Sequence, residues 1–512
     1  MHKLFDKLIQ HGGKEVAGPH HIPQETRNKF SDEDVYRYRK QRGVNLGSWF
    51  VLERWITSIP FQLAKSPAKS DLDVARGTDA REILERHWDT WITDQDWKWI
   101  SDRGLNSVRI PIGYYHVCGI DPTVLHGTDF EPYYEIFCGA WERIILAIQK
   151  AASHNIGVLI DLHAAPGKQN NDAHAGTSGP SNFFRDEHHQ KSTIRALCSL
   201  VKNLNHFTNS FSPPLSNLIG IELLNEPHPP SDGELKSWYT KAISKVRAID
   251  PIIPIHLGEC WRPDSYADFI AQHPSSAPIV LDHHLYRCFT SSDTTTSAEA
   301  HSRSLTDANA ATSKMFASIA EKVGRAGGGI VIGEWSGALN PGSLRGKPDE
   351  QRDFVHAELA LFERTCSGWF FWTYKKEKSG DTGWSLRDAV NGGVFPSFVG
   401  IKPNPSSMKD DENQSKIRDL LCDKALAAHT QYWSRYSGRC DHARFSEGYH
   451  LGWDDVFQLM LSTPANSTSI NEIGFKGAWA RRRTQKHDKH YWEFEAGFLQ
   501  AIGAAIELYM LH

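Results

Sequence analysis

Residues 218–227 read LIGIELLNEP, a nearly continuous apolar run that ends in Asn225, Glu226 and Pro227. Seven further runs of this kind lie at residues 43–49 (GVNLGSW), 107–113 (SVRIPIG), 157–164 (GVLIDLHA), 252–259 (IIPIHLGE), 279–286 (IVLDHHLY), 329–336 (GIVIGEWS) and 368–374 (GWFFWTY). Such runs are typical of parallel strands that are buried on both faces. Segments of helical period separate them, for example residues 134–153 and 349–364. Eight strand–helix alternations predict an α/β fold, a (β/α)8 TIM barrel.

The polar residues of these runs cluster at the carboxyl ends of the predicted strands. They are Arg109, Asp161, His163, Asn225, Glu226, His284, Tyr286, Glu334 and Trp372. In a TIM barrel these strand ends surround the active site. A buried charge is costly without a partner, so we expect the side chains to share one polar pocket. An open doubly wound sheet is the alternative fold, but no GxGxxG motif follows the first predicted strand.

The chain divides into three predicted regions. Residues 1–38 are polar and weakly patterned and are predicted to form a loose arm, and residues 39–402 carry the barrel pattern. Residues 403–512 predict a mainly helical C-terminal extension, with helical signals at 411–436, 448–462 and 492–511. Within the extension, residues 445–455 (FSEGYHLGWDD) and 494–504 (FEAGFLQAIGA) form a weak internal repeat, which indicates two packed copies of one helical unit.

Composition excludes several classes of function. The chain has 57 basic and 61 acidic residues in 512, a net charge of −4, so a nucleic-acid partner is not expected. No apolar run is long enough for a transmembrane segment. The N-terminal residues lack a signal-peptide pattern, which predicts a cytoplasmic protein, with an extracellular or cell-wall location only through unconventional export. No HExxH or similar spacing occurs, so neither a metal nor another cofactor is expected.

Glu226 and Glu334 are the candidate catalytic pair, since they end the fourth and seventh predicted strands. Opposite strands of a closed barrel can direct two side chains into one pocket. Two carboxyl groups about 5–5.5 Å apart can cleave a glycosidic bond with retention of configuration. One is a protonated acid for the leaving oxygen, and the other is an ionised nucleophile for the anomeric carbon.

The neighbouring residues can support this chemistry. We expect Arg109, His284 and Tyr286 to keep Glu334 ionised or to orient it, and apolar surroundings to raise the pKa of the acid. Asn225 can donate a hydrogen bond to a sugar 2-hydroxyl. Trp372 offers a flat apolar face for a pyranose ring. His163 lies at a strand end, where a sugar contact is favoured over a role in the core.

Several segments together resemble one enzyme family. They are RGVNLGSWFVLERW, GLNSVRIPIGYY, IDLHAAPGKQN, IGIELLNEP, LDHHLY, VIGEWSGAL and GWFFWTYK, and they cover residues 42 to about 386 in order. The chain resembles glycoside hydrolase family 5, the cellulase family, and within it the fungal exo-β-1,3-glucanase-type branch. The resemblance implies a TIM barrel and retaining chemistry, with Glu226 as acid/base and Glu334 as nucleophile. It also implies substrate contacts by Glu53, Arg109, His163, Asn225, His284, Tyr286, Phe289 and Trp372.

The sequence departs from the secreted members of that branch in two places. Those enzymes carry an aromatic residue shortly after the PGxQN segment, where this chain has Asn171, Asp172, Ala173 and His174. Phe289 matches the other half of their aromatic clamp, and Asp172 is a candidate for a sugar-binding aspartate. The C-terminal extension has no counterpart in the secreted enzymes and is similar to extensions of fungal intracellular relatives.

The sequence therefore predicts a retaining β-glycosidase for a β-glucan or β-glucoside, with a glucan β-1,3-glucosidase that releases glucose as the first hypothesis. The alternatives are a β-glucosidase for glucosylated lipids (steryl glucoside or glucosylceramide) and a β-1,6-glucanase. An apolar groove leading to Glu226 would favour the lipid hypothesis. A more distant alternative is a carbohydrate-binding protein without catalysis. Residues 403–512 are a candidate surface for self-association.

Overall fold

A closed barrel of eight parallel strands forms the centre of the molecule. The structure is a computed structural model and describes residues 30–273, 277–404, 412–484 and 489–511. The strands are β1 Gln41–Asn45, β2 Ser107–Gly113, β3 Gly157–Ala164, β4 Leu218–Glu222, β5 Ile255–Gly258, β6 Ile279–Arg287, β7 Gly329–Leu339 and β8 Gly368–Phe371. They pair in sequence order, and β1 pairs with β8 to close the ring. The predicted TIM barrel is confirmed, and the doubly wound alternative is wrong.

Helices surround the barrel and form the extension. Those that precede residue 403 are α1 Asp32–Tyr38, α2 Asp71–Ala75, α3 Ala80–Trp91, α4 Asp94–Asp102, α5 Tyr134–Phe137, α6 Ala140–Ser153, α7 Glu187–Asn209, α8 Asp232–Arg247, α9 Pro263–Gln272, α10 Ser291–Thr295, α11 Ala298–Thr306, α12 Ala311–Arg325, α13 Glu350–Thr365 and α14 Leu386–Asn391. Those of the extension are α15 Glu412–Trp433, α16 His442–Leu461, α17 Lys476–Arg483 and α18 Tyr491–Leu511. Short 3-10 turns lie at Ile59–Phe61, Tyr114–Val117, Pro122–Leu125, Glu131–Tyr133, Ala173–Ala175 and Pro341–Ser343. Within the described part of the chain, none of these helices has both the length and the apolarity to cross a membrane.

The helical pattern of the sequence explains the outer layer. In α6, Trp141, Ile144, Ile148 and Ala151 are buried at intervals of three and four residues, so one face of the helix packs on the barrel. The predicted helix over 134–153 is interrupted between α5 and α6 by Cys138 and Gly139. The result is the usual barrel arrangement, in which the carboxyl ends of the strands are left open for side chains.

The extension covers the amino ends of the strands, opposite the catalytic end of a TIM barrel. Lys40, one residue before β1, donates its backbone N–H to the carbonyl of Glu472 at 2.6 Å. The ring of Phe475 lies against Gly329, where a Cβ would approach it to 2.7 Å. One hydrophobic core joins strand residues such as Val331 and Phe370 to Phe475 and other residues of the extension. Residues 470–480 therefore close the floor of the barrel.

Helix α1 belongs to the same floor. Its N-terminus is capped by Ser31, and Val35, Arg37 and Tyr38 are buried. The Arg37 guanidinium donates to the carbonyl of Leu218, the first residue of β4, at 3.3 Å. Residues 32–38 of the predicted loose arm 1–38 therefore form a helix, and residues 1–29 lie outside the described residues.

The two repeat segments face each other in α16 and α18. A Cβ on Gly448 would lie 2.0 Å from the carbonyl oxygen of Phe494, and one on Gly497 would lie 2.0 Å from that of Phe445. A Cβ on Gly452 would lie 2.6 Å from the carbonyl oxygen of Phe498. The repeated glycines therefore mark the places where two helix backbones touch.

Replacement of Gly448 by alanine is expected to destabilise the protein by about 1–3 kcal/mol, because the added methyl group forces two backbones apart. The matched control is Gly503→Ala in α18, where no atom lies within 4 Å of the new Cβ. That change should stabilise the helix by up to about 1 kcal/mol, since alanine has the higher helix propensity. Denaturant unfolding of both variants checks this. Equal stability of the two would contradict the close helix contact.

Candidate active site

Arg109 on β2 is the centre of a buried polar network at the carboxyl ends of the strands. Its Nη1 donates to Glu334 Oε1 and to Asn45 Oδ1, each at 3.0 Å. Its Nε donates to Glu222 Oε2 and its Nη2 to Asn225 Oδ1, both at 2.8 Å. Burial alone would lower the pKa of Arg109, but the surrounding carboxylates outweigh burial and raise it. The guanidinium is thus a fixed positive charge that holds residues of three other strands, β1, β4 and β7.

Glu334 on β7 is held by two hydrogen bonds and one ion-pair contact. Besides Arg109, the hydroxyl of Tyr286 donates to its Oε2 at 2.7 Å, and His284 Nδ1 lies 3.5 Å from the same oxygen. Burial and the Glu334 carboxylate hold the pKa of Tyr286 well above its usual range, so this hydroxyl keeps its proton. The side chain of Glu334 is only 6% exposed. These donors fix the position of the carboxylate and stabilise its charge.

Glu226 follows β4 in a strained backbone conformation, with φ at +42°. For a residue other than glycine this left-handed region costs on the order of 1–3 kcal/mol and must be imposed by the surroundings. The side-chain amide of Asn170 donates to the Glu226 carbonyl at 3.0 Å. The turn directs the carboxyl group toward His284, whose Nδ1 lies 2.8 Å from Glu226 Oε1.

The proton of this pair rests on the histidine. Burial alone would raise the pKa of Glu226, but the hydrogen bond and the charge of His284 lower it to about 2. Burial acts in the opposite sense on His284, and the carboxylates of Glu334 and Glu226 outweigh it and raise the pKa of His284 to about 10. Burial thus acts on Glu226 in the direction expected of apolar surroundings, and the cationic imidazole from β6 beside the carboxylate outweighs it.

The two carboxylates are close together. Ligand-type atoms of Glu226, His284 and Glu334 all lie within 4.8 Å of one another. Retaining glycosidases place their carboxyl groups about 5–5.5 Å apart, and inverting ones about 6.5–9.5 Å apart to admit a water. The same three atoms could hold one cation, but the two-carboxylate chemistry of a retaining glycosidase needs no metal.

A flat surface lies beside the pair. The ring of Trp372, after β8, stacks on that of His163 with centroids 5.7 Å apart and planes 8° apart. His163 Nδ1 lies 2.7 Å from Asp161 Oδ2, and Asn225 Nδ2 lies 3.3 Å from His163 Nε2. Burial lowers the pKa of His163, so the imidazole is neutral. The structure thus brings Asn225, His163 and Trp372 to the same pocket.

Aromatic side chains surround the entrance to this pocket. Phe289 is 70% exposed, and its ring lies 5.5 Å from that of Tyr286 and 5.9 Å from that of Trp384. Trp55 contacts Trp384 at 5.4 Å and donates its indole N–H to Glu53 Oε2 at 2.7 Å. Burial raises the pKa of Glu53 to about 7. All the predicted site residues thus lie in or beside one pocket.

Comparison with known proteins places this site in a family. The family model "Cellulase (glycosyl hydrolase family 5)" matches residues 75–378, more than half of the chain. The chain belongs to glycosyl hydrolase family 5. A second model, "Glucan 1,3-beta-glucosidase 3 C-terminal domain", matches residues 414–509. This family-5 protein is therefore a glycoside hydrolase with a known type of C-terminal extension.

The family-5 chain has fungal relatives along nearly its whole length. It is 32% identical to glucan 1,3-beta-glucosidase 3 of Schizosaccharomyces pombe, over 91% of this chain and 95% of that protein. It is 30% identical to a probable glucan 1,3-beta-glucosidase A of Emericella nidulans, over 70% of this chain and 90% of that protein. Among solved structures it is similar in fold to rutinosidase from Aspergillus niger, with a TM-score of 0.56, 19% identity, and coverage of 70% of this chain and 98% of that one.

Several residues at this family-5 site were not predicted from the sequence, among them Asn45, Trp55, Trp384 and His174. Trp55 and Trp384 lie on loops, and only Trp55, two residues after Glu53, carried a signal. His174, where the secreted enzymes have their clamp loop, lies 3.1 Å from His163 Nε2 through its Nδ1. Its Nε2 is 3.9 Å from Glu226 Oε2 and 3.8 Å from Asp172 Oδ2.

His174 places a second histidine beside the catalytic carboxylates of this family-5 site. Burial alone would lower the pKa of His174, but the carboxylates of Glu53, Glu226 and Asp172 outweigh burial and raise it. The imidazole is therefore a source of positive charge that lowers the pKa of Glu53 and Glu226 in turn.

Replacement of His174 by asparagine is expected to move the acid limb of the pH profile of kcat/KM to higher pH by up to about one unit. The reason is that loss of a nearby positive charge raises the pKa of the carboxyl groups. Rates on an aryl β-glucoside, measured from acid to alkaline pH, check this. The control is His206→Asn at the exposed end of α7. A profile that stays in place or moves to lower pH would argue against a charge effect of His174.

Proposed function

We propose that this glycoside hydrolase is a retaining β-glucosidase for β-1,3-glucan that releases glucose. The observation that carries the proposal is the triad of Glu226, His284 and Glu334, whose atoms lie within 4.8 Å of one another. This spacing supports a double displacement and leaves little room for the water of an inverting mechanism. The names of the fungal relatives support the glucan linkage.

In the first step, Glu334 attacks the anomeric carbon as the bond to the leaving oxygen breaks. Glu226 supplies the proton that the leaving oxygen takes. His284 holds this proton at rest, 2.8 Å from Glu226, chiefly because of the charge of Glu334. As Glu334 forms the ester bond it loses that charge, so the pKa of His284 falls and the proton passes to Glu226. Attack by Glu334 thereby protonates Glu226, which can then act as the acid.

In the second step, Glu226 accepts a proton from water, and the water oxygen attacks the anomeric carbon. The ester bond to Glu334 breaks and its charge returns, held by Arg109 and Tyr286. Two inversions give glucose with its β configuration retained. In this proposal Asn225 binds the sugar 2-hydroxyl, and Trp372 stacks under the sugar ring.

The residues around the pocket entrance favour a sugar, rather than a lipid, as the leaving group. A cavity of about 650 Å³ opens beside Trp55 and Trp384, and much of its lining is polar, including Arg54, Lys376 and Asp381. An apolar groove would suit a glucosylated lipid, whereas this lining suits the hydroxyl groups of a glucan. Exposed Phe289 and Trp55 offer faces on which a glucose unit can stack.

Initial rates on four substrates test the proposal: laminarin, a β-1,6-glucan, a steryl glucoside and an aryl β-glucoside. Each is measured with the wild type and with Glu334→Ala as background. Turnover of laminarin with glucose as first product is expected. Activity confined to the β-1,6-glucan or to the steryl glucoside would overturn the linkage and keep the mechanism. No turnover of any substrate would favour a carbohydrate-binding protein.

The cytoplasmic location and the self-association through residues 403–512 stay predictions. Cell fractionation and size-exclusion chromatography with light scattering test them directly. Deletion of residues 403–512 is not a clean test of self-association, because it would expose Val331, Phe370 and the rest of the barrel floor.

A further inference from the structure

Three helices of the C-terminal extension meet at a buried carboxylate. Glu493, in the first turn of α18, is fully buried. Its Oε2 lies 3.1 Å from Nε2 of His429 on α15 and 2.9 Å from Nδ1 of His442, the first residue of α16. Two imidazole nitrogens therefore point at one carboxylate oxygen from two different helices.

The spacing of these atoms suits a tetrahedral metal ion. Zinc bonds of about 2.0–2.1 Å place neighbouring ligand atoms roughly 3.3 Å apart in a tetrahedron. The observed separations of 2.9 and 3.1 Å are a few tenths of an ångström shorter. All three ligand atoms lie within 4.8 Å of one another. A small outward movement of the three side chains would make room for the ion.

The surroundings of the three ligand groups also suit a metal. The second oxygen of Glu493 accepts the backbone N–H of Asp441 at 2.5 Å, which orients the carboxylate as outer partners do in metal sites. The ring of His429 stacks on Phe445 at 4.3 Å and lies 5.8 Å from that of Trp492, which gives the site an apolar wall.

A water would fill the fourth position of a tetrahedral ion. His490 is not one of the three converging ligands, since its Nδ1 lies 3.7 Å from Oε1, the other oxygen of Glu493. Two histidines and one glutamate with one further position form a common zinc set. The ligands come from three separate helices, which is why no short sequence spacing revealed the site.

We propose that His429, His442 and Glu493 bind a divalent transition-metal ion, with Zn²⁺ as the best match. The ion would tie α15, α16 and α18 to one another in the extension that closes the barrel floor. The proposed catalytic carboxylates lie on β7 and after the end of β4, so the role of this metal is structural and separate from the proposed glucosidase reaction.

Zinc titration of the full-length protein tests the proposal. The protein is purified without a metal-affinity tag, treated with EDTA, dialysed, and titrated with Zn²⁺ against a chromophoric chelator. The wild type should take up one ion and gain thermal stability. His442→Ala and Glu493→Gln should each lower the affinity by more than about 100-fold, beyond the effect usual for outer-shell changes. The control is His450→Ala, which removes a partly exposed histidine of α16 that pairs with Asp419 at 3.1 Å.

A second measurement needs no variant. Co²⁺ bound to the wild-type protein should give the intense visible absorption of a tetrahedral site, and Zn²⁺ should abolish it. Activity of each variant on an aryl β-glucoside reports whether its barrel is folded. Failure of the wild type to bind Zn²⁺ and Co²⁺ would overturn the proposal, as would equal affinity in His442→Ala and His450→Ala.

Discussion

Replacement of Glu334 by alanine is expected to lower kcat on an aryl β-glucoside by on the order of 10⁴-fold or more. The change removes the atom that bonds to the anomeric carbon, while Arg109 and Tyr286 lose only a hydrogen-bond partner. Sugar affinity should be largely retained, because the groups placed to contact the sugar are unchanged. Single-turnover rates and direct binding of glucose to the variant measure the two effects separately.

A small anion should restore part of this activity. Azide can enter the space left by the Glu334 carboxylate and attack the anomeric carbon, and the departing group takes its proton from Glu226. The product is then a glucosyl azide of inverted configuration. Glu299→Ala, on the exposed face of α11, is the control and should behave as wild type. Wild-type turnover in Glu334→Ala would contradict its role as nucleophile.

Replacement of Glu226 by alanine is expected to have an effect that depends on the leaving group. Loss of a general acid typically costs about 10²–10⁴-fold, so hydrolysis of laminarin should fall by this amount. Formation of the glycosyl–enzyme from a dinitrophenyl glucoside should be almost unaffected, since that leaving group needs no proton. Hydrolysis of the intermediate should then become slow, because no base activates water. Pre-steady-state bursts on the two substrates measure these steps.

An equal loss of rate on both substrates would count against Glu226 as the acid. The control is Glu222→Gln, which alters a buried carboxylate four residues away that contacts Arg109. We expect that variant to lower activity on both substrates alike, since Arg109 positions Glu334 as well as Asn225. A loss of rate that depends on the leaving group identifies a proton donor. An equal loss on both substrates identifies a group that only positions other residues.

Much of the barrel could be predicted because each strand carries its own signal. A strand buried on both faces must be apolar, and the residues at its carboxyl end must be polar if they line the pocket. The first and last residues of the strands were less predictable. Strand β1 begins at Gln41, two residues before the predicted run, since the polar side chain of Arg42 is buried by pairing with Glu363 and Glu472. These partners lie more than 300 residues further along the chain.

The protonation states and loop contacts of the site could not be predicted from local sequence patterns. They depend on contacts between residues that are far apart in the sequence. The proton balance between Glu226 and His284 arises from two strands that are brought together only by closure of the barrel. His174 and Trp384 lie on loops, where neither period nor strand position indicates their direction. The extension gave a partial signal through its repeated glycines, but its role as the barrel floor depends on pairings such as Lys40 with Glu472.

The most direct test of the account is the site of covalent labelling by 2-deoxy-2-fluoro-β-glucosyl fluoride. The 2-fluorine destabilises the charged transition states, and the fluoride leaves without acid help, so the glycosyl–enzyme should accumulate. We expect mass spectrometry of the digested protein to find one fluoroglucosyl group, on Glu334. A label on Glu226, or no label on an enzyme that turns over β-glucosides, would contradict the assignment of Glu334 as the nucleophile of a retaining glucosidase.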